Sequence, residues 1–265
     1  GVFYYAMEYL DGMNLEVLVQ RYGPMSEARA LCILCQVCAS LAEAHAKGMV
    51  HRDIKPANIF LTNRGGLYDF VKVLDFGLVK NDNAEESAHL TNPNALTGTP
   101  LYASPEAICH PEQVDARADV YAVAAVGYYL LTGSPVFTGR SVTEICMKHT
   151  TATPDPPSTR IGRRISPDFE NLILQCLSKS PEDRPRNASA LYGCLDACHV
   201  EGTWTTRDAA EWWGVYDDHI GTSQEGLAVT AAPSLLKRQS NVDTTVAFDG
   251  DTKETNGGQP EKDVP

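Results

Sequence analysis

The chain has 265 residues, 43% apolar and 21% charged, with a net charge of −12, an ordinary globular mixture with room for one large domain or two smaller ones. The acid excess argues against nucleic acid as a partner, because that binding needs basic residues to displace counterions from phosphates. No run of eighteen apolar residues spans a bilayer and no charged-then-apolar leader precedes a cleavage site, so the expected location is cytoplasmic.

The first apolar run, VFYYAMEYL, reads as a strand ended by Asp11 and Gly12, and MNLEVLVQRYG as a short helix. Residues 26–47 have helical periodicity, with Ser26 as N-cap and Gly48 as the stop. Cys32, Cys35 and Cys38 lie three apart in this helix, without the fourth ligand of a ferredoxin run. They are expected in the core, as small apolar residues, and so are Cys194 and Cys198. NIFLT and FVKVLD read as strands joined by the turn former NRGG, a hairpin that returns Asp75 to the neighbourhood of Asn58.

Residues 81–98 read as a long polar loop. Helical patterns resume in DARADVYAVAAVGYYLLTG, SVTEICMKH, SPDFENLILQCLSK, NASALYGCLDACH and WTTRDAAEWWGVY. Trp204, Trp212 and Trp213 are expected to seal the last helix onto its neighbours, and His149 and His219 receive no role. From about residue 221 the composition is that of a disordered tail.

The chemistry concentrates in MVHRDIKPANIF, which sets His51, Arg52, Asp53, Lys55 and Asn58 within eight positions between apolar flanks. A carboxylate there stays ionised at neutral pH and only accepts hydrogen bonds, and an amide oxygen suits a hard cation. Asp75, Phe76 and Gly77 follow after a hairpin and a strand, then LTGTPLYASPE, ADVY and SPEDRP.

In this order of motifs residues 1 to about 215 resemble a bacterial serine/threonine protein kinase. The resemblance implies an α+β protein-kinase-like fold: a mainly helical C-terminal lobe with a short hairpin and one residual strand of the N-terminal lobe. Residues 1–12 then hold that strand and the hinge, 13–200 the C-terminal lobe, 201–220 an accessory helix packed on it, and 221–265 the tail.

By resemblance Asp53 accepts the proton of the substrate hydroxyl, Lys55 approaches the γ-phosphate of ATP, and Asn58 and Asp75 hold Mg²⁺. Met7, Glu8 and Leu10 fall at the adenine hinge, and Ile59, Phe60 and Leu61 at the pocket floor. Lys55 and Thr99 match kinases that act on serine and threonine of protein substrates. Arg52 is expected to sense a phosphate on Ser87, Thr91 or Thr97. Glu106 pairs with Arg184 in a buried brace, and Asp119 braces the backbone of the catalytic loop. Ser104 stands where the family usually has alanine, and in AVAAVG, shortly after Asp119, alanine replaces the usual glycine.

The family also needs a glycine-rich loop, a strand lysine and a helix glutamate, and none precedes VFYYAMEYL. The expectation is therefore a piece of a longer kinase, binding ATP weakly and inactive alone, whose parent has an anchor or none outside these residues. The alternative is a non-catalytic kinase-like module that binds partners through its helical lobe. The intact Asp53, Lys55, Asn58 and Asp75 favour the kinase, since a scaffold has no physical need of them.

Overall fold

The computed structural model of the chain describes residues 8–76 and 99–223, with the backbone alone for Thr99 and for residues 216–223. Its axis is helix α4, Ala116–Thr132, in which every residue from Ala118 to Leu131 is buried. Apolar residues on all sides leave a helix no solvent face, and its stable place is the middle of a bundle. Helix α2, Glu27–Ala46, lies along it, and α6 (Pro157–Ile161), α7 (Pro167–Cys176) and α8 (Ala188–Asp196) complete the packing. The remaining helices are α1 (Leu15–Tyr22), α3 (Pro105–Cys109), α5 (Val142–Thr151) and α9 (Thr206–Ser223).

Side-chain caps start most of the longer helices. Asn14 accepts from the amide of Val17 at 2.8 Å to begin α1, and Ser26 from that of Arg29 at 3.3 Å to begin α2. Asp115, Ser141 and Asn187 do the same for α4, α5 and α8. Each such cap contributes about 1 kcal/mol by satisfying an amide that the helix itself cannot.

Three antiparallel strands, β1 (Gly12–Asn14), β2 (Ile59–Arg64) and β3 (Leu67–Val73), lie in the order β1-β2-β3. The hairpin between β2 and β3 turns on Gly65 and Gly66 alone, with φ of 62° and 86°, the left-handed pair that a two-residue turn requires. This tight turn lets β3 begin at Leu67, earlier than the expected FVKVLD. Alternation along β2 puts Ile59 and Leu61, both fully buried, against the helices. Phe60 takes the other face, paired across the ladder with Lys72. Of the three residues expected at the pocket floor, only Phe60 is therefore on the side away from the helical core.

The strand expected over residues 2–10 lies outside the described residues up to Met7, and Glu8–Leu10 are not in a strand. The strand present is β1, at the Asp11–Gly12 expected to end one. Gly12 pairs with Thr62 at φ 147°, and a Cβ on it would sit 2.0 Å from the Leu61 carbonyl oxygen. Glycine here is a requirement of close pairing, and a three-residue strand is too short to show a period.

The cysteines divide. Cys38 and Cys176 are fully buried, Cys32, Cys35 and Cys198 are half-buried and Cys194 is exposed. Cys194 corrects its expected core position: α8 turns Leu191 and Leu195 inward, which leaves the cysteine between them facing out. Burial pushes the Cys35 thiol up to about 11 and the Cys176 thiol up to about 12, so neither is a ready thiolate. Residues 81–98 and the tail from 224 onward lie outside the described residues.

Candidate functional site

The segment between α2 and β2 carries the polar cluster, and a residue 67 to 68 positions further along holds it. The Asp119 carboxylate, 1% exposed on α4, accepts from the His51 amide at 2.8 Å and the Arg52 amide at 2.9 Å. Two backbone donors aimed at one buried carboxylate fix the path of the chain, and Arg52 is thereby held at φ 67°. That conformation costs a residue with a Cβ about 1–2 kcal/mol. The Arg52 side chain itself is exposed.

His45, at the end of α2, supplies a third contact, its Nε2 lying 2.9 Å from Asp119 Oδ2. Its Nδ1 accepts from the Ala188 amide at 3.2 Å, so the proton sits on Nε2 and is donated to Asp119. His51 is fixed the same way. Its Nδ1 accepts from the Asp53 amide at 3.3 Å, and Nε2 then donates to the Leu74 carbonyl at 2.9 Å. Neither histidine was assigned a role from sequence. The signal available for His45 was a polar residue on the apolar face of α2.

Asp53, Lys55 and Asn58 converge. Lys55 Nζ donates to Asp53 Oδ2 at 2.7 Å, with Asp53 40% and Lys55 23% exposed, so the pair is open to an incoming molecule. Asn58 is buried and uses both amide protons inward, on the Asp53 carbonyl at 2.9 Å and on Asp53 Oδ2 at 3.0 Å. Its Oδ1 is left without a hydrogen bond among the described residues. Asp75 is brought back by the hairpin: the Leu74 amide donates to the Asn58 carbonyl at 2.8 Å, and Asp75 follows, exposed, at φ 60°. The Phe76 ring meets that of His51 edge-on at 4.7 Å between centroids.

This donor set fits a small divalent cation. One amide oxygen and one carboxylate are few ligands, but Mg²⁺ is commonly held by one or two carboxylates together with substrate phosphates and waters. No group of three or more His, Cys, Asp or Glu gathers among the described residues.

On the face of the sheet that carries Phe60, Lys72 pairs with Glu8. Lys72 holds the exposed Glu8 carboxyl below the usual carboxylate range. Glu8 is thus brought beside the cross-strand neighbour of Phe60, and Leu10 is half-buried close behind it in the chain. Met7, Gly77, Ser87, Thr91 and Thr97 lie outside the described residues, and Thr99 begins a turn of 3₁₀ helix over Thr99–Tyr102.

Glu106 and Arg184 meet in a two-pronged ion pair, Nη1 to Oε1 at 2.7 Å and Nη2 to Oε2 at 3.0 Å. Arg184 also donates to the carbonyls of Ser178, Lys179 and Arg117. A buried charge with all its donors used ties α3 to the segment before α8.

The chain matches the model of the protein kinase domain over residues 2–193. It is 42% identical over 203 residues to serine/threonine-protein kinase pkn3 of Myxococcus xanthus, covering 76% of this chain and 37% of that protein. It is 38% identical over 196 residues to serine/threonine-protein kinase PknB of Mycobacterium tuberculosis, covering 74% and 30%. The chain thus spans about a third of the length of these curated relatives. Among solved structures it is similar to Rad53 1–466 in complex with AMP-PNP, with TM-score 0.57 and 25% identity over 71% of this chain and 46% of that one. It also shares the fold of the Mycobacterium tuberculosis PknI kinase domain, with TM-score 0.52 and 23% identity over 72% and 64% of the two chains.

Proposed function

The chain belongs to the protein kinase family, and from that premise we propose that its protein transfers the γ-phosphate of ATP to serine or threonine hydroxyls of protein substrates. The observation that carries the reading is the convergence of Lys55 and Asn58 on Asp53, with Leu74 bonded to Asn58 so that Asp75 comes next to it. A site of this kind works by positioning and by electrostatic stabilisation.

Asp53 accepts the proton of the attacking hydroxyl and orients it; the Lys55 ammonium, now on Asp53 Oδ2, is within reach of a phosphate brought there. The Asn58 Oδ1 and the Asp75 carboxylate hold Mg²⁺, which when bound neutralises charge on the phosphates. Glu8, Leu10, Phe60 and Met7 take the adenine side. Arg52, whose side chain is exposed beside this cluster, offers a guanidinium to a phosphate on the segment that contains Ser87, Thr91 and Thr97. The Glu106–Arg184 brace and the Asp119 carboxylate keep these groups in register. By domain, residues 13–200 do the chemistry and the helix after residue 200 supports it.

The test is phosphoryl transfer by the intact gene product to a serine/threonine peptide. Asp53→Ala should lower turnover by about 10²- to 10⁴-fold, the contribution of a general base, with nucleotide still bound. Asp75→Ala should instead weaken nucleotide binding only when Mg²⁺ is present. An Asp53→Ala protein that turns over like wild type would refute the assignment.

A further inference from the structure

Among the described residues β3 is an edge strand of the sheet, but its outer edge is occupied. The Gln36 side chain, on α2, stands where a fourth strand would pair: its Nε2 donates to the Asp69 carbonyl at 3.0 Å and its Oε1 accepts from the Val71 amide at 3.1 Å. Asp69, 3% exposed, is itself unusual. Its Oδ1 accepts from Arg29 Nη2 at 2.8 Å and Trp213 Nε1 at 2.7 Å, and its Oδ2 from Arg29 Nε at 2.8 Å and Trp204 Nε1 at 2.9 Å. The Arg29 guanidinium lies against the rings of Trp204 and Trp212, 4.7 and 3.9 Å from their centroids. Tyr22 and Tyr68 pack on Trp212 and Trp213. So many donors on one carboxylate are more than is needed to dock a helix.

The backbone at Asp69 explains the surplus. Thr62 pairs with Phe70, but Arg64 pairs with Leu67, so Tyr68 and Asp69 together face Asn63 alone. This is a β-bulge, with Asp69 at φ 54°. Without it β3 would lie one residue out of step on β2, and a slip of one residue turns every side chain to the opposite face. Beyond the bulge the ladder runs through Val71–Leu61 and Val73–Ile59 to the Leu74–Asn58 hydrogen bond, and Asp75 comes next.

We propose that Asp69, held by Arg29, Trp204 and Trp213, is a positioning residue for Asp75: it fixes the bulge that sets the β2–β3 register, which makes α9 part of the working site. The kinase reading enters only in naming what Asp75 and Asn58 hold; the register claim stands apart from it.

The test uses the full chain with Trp204→Phe and Trp213→Phe, singly and together, which remove the indole N–H groups but keep rings and the Arg29–Asp69 pair; Asp69→Asn is the stronger companion. Hydrogen exchange at the Leu74 amide should quicken by about tenfold in each single variant and by about a hundredfold in the double, the size of one and of two charge-assisted hydrogen bonds. The amides of α4 should be unchanged, which a general loss of stability would not allow. In calorimetric titration with ADP, the gain in affinity conferred by Mg²⁺ should fall by about tenfold, as when groups behind a metal ligand are removed, with metal-free affinity unmoved and Asp75→Ala marking complete loss. Unaltered Leu74 exchange, or faster exchange with an intact Mg²⁺ gain, would overturn the proposal. Wild-type chain whose ADP affinity ignores Mg²⁺ would count against the kinase reading, and the Leu74 exchange would still decide the register claim.

Discussion

Replacing Asp119 by alanine should unfold the site from behind. Three donors end on this carboxylate: the amides of His51 and Arg52 and the Nε2 of His45, all within 2.9 Å. Truncation leaves all three N–H groups without the acceptor, a side chain 1% exposed; at about 1.5 kcal/mol each, toward the low end of the usual cost of an orphaned buried donor because Arg52 is exposed, this amounts to about 4–5 kcal/mol. Arg52 then has no partner to hold it at φ 67°, and relaxing it returns about 1–2 kcal/mol. The net loss is about 3 kcal/mol, and in a unit of this size each kcal/mol moves the melting temperature by about 2–4 °C, so a fall of about 6–12 °C is expected. Asp119→Asn, which keeps one acceptor oxygen, should lose about half as much. Differential scanning calorimetry of the full chain measures both. An Asp119→Ala protein that melts within about 2 °C of wild type would mean that solvent replaces the carboxylate without penalty, and the reasoning would fail.

Two further outcomes follow from other parts of the lobe. His149, fully buried with Nδ1 against the Tyr121 hydroxyl at 2.8 Å, is held down to about 4 by burial and then by the Lys179 charge. The unfolded chain takes up a proton as pH falls through about 6.5 and the folded chain does not until about 4, so about 3 kcal/mol of stability should disappear across that window; urea titrations at pH 7 and 4.5 should show a smaller difference for His149→Gln than for wild type. A Cβ on Gly12 would overlap the Leu61 carbonyl, whereas one on Gly193 meets nothing within 4 Å. Gly12→Ala should therefore part β1 from β2 and lower the melting temperature, while Gly193→Ala should leave it unchanged or raise it, because alanine in a helix gains up to about 1 kcal/mol.

What could be read from sequence was what repeats or what is local. The period of α2 and its Ser26 cap, the apolar run of α4 and the two hydrophobic runs around NRGG all carry their own signal in a few adjacent residues. So does the order of Asp53, Lys55 and Asn58, because the chemistry proposed for them needs them close together. The short helices α3 and α6 were not foreseen, since five residues hold hardly more than one turn of pattern. The resemblance to kinases supplied two distant supports, Asp119 and the Glu106–Arg184 pair, but not the others: His45 is 74 positions from Asp119, and Trp204 and Trp213 are 135 and 144 from Asp69. A tryptophan in a terminal helix suggests burial, but its N–H direction is set only by packing.

The same distinction applies to strain. Among the described residues only Arg52, Asp69 and Asp75 combine a side chain with a positive φ, and all three fall in the one stretch that carries the candidate site. Each carries about 1–2 kcal/mol that its own segment cannot offset. Arg52 is held by α4 through Asp119, and Asp69 by α2 through Arg29, by Trp204 and by α9 through Trp213. Asp75 is held by neither directly; it follows Leu74, whose amide and carbonyl are tied to Asn58 and His51. The loop conformation is thus a property of the folded lobe and not of the loop sequence. The polar residues between Val50 and Ile59 are the candidates for the chemistry, and residues on other elements fix where they stand.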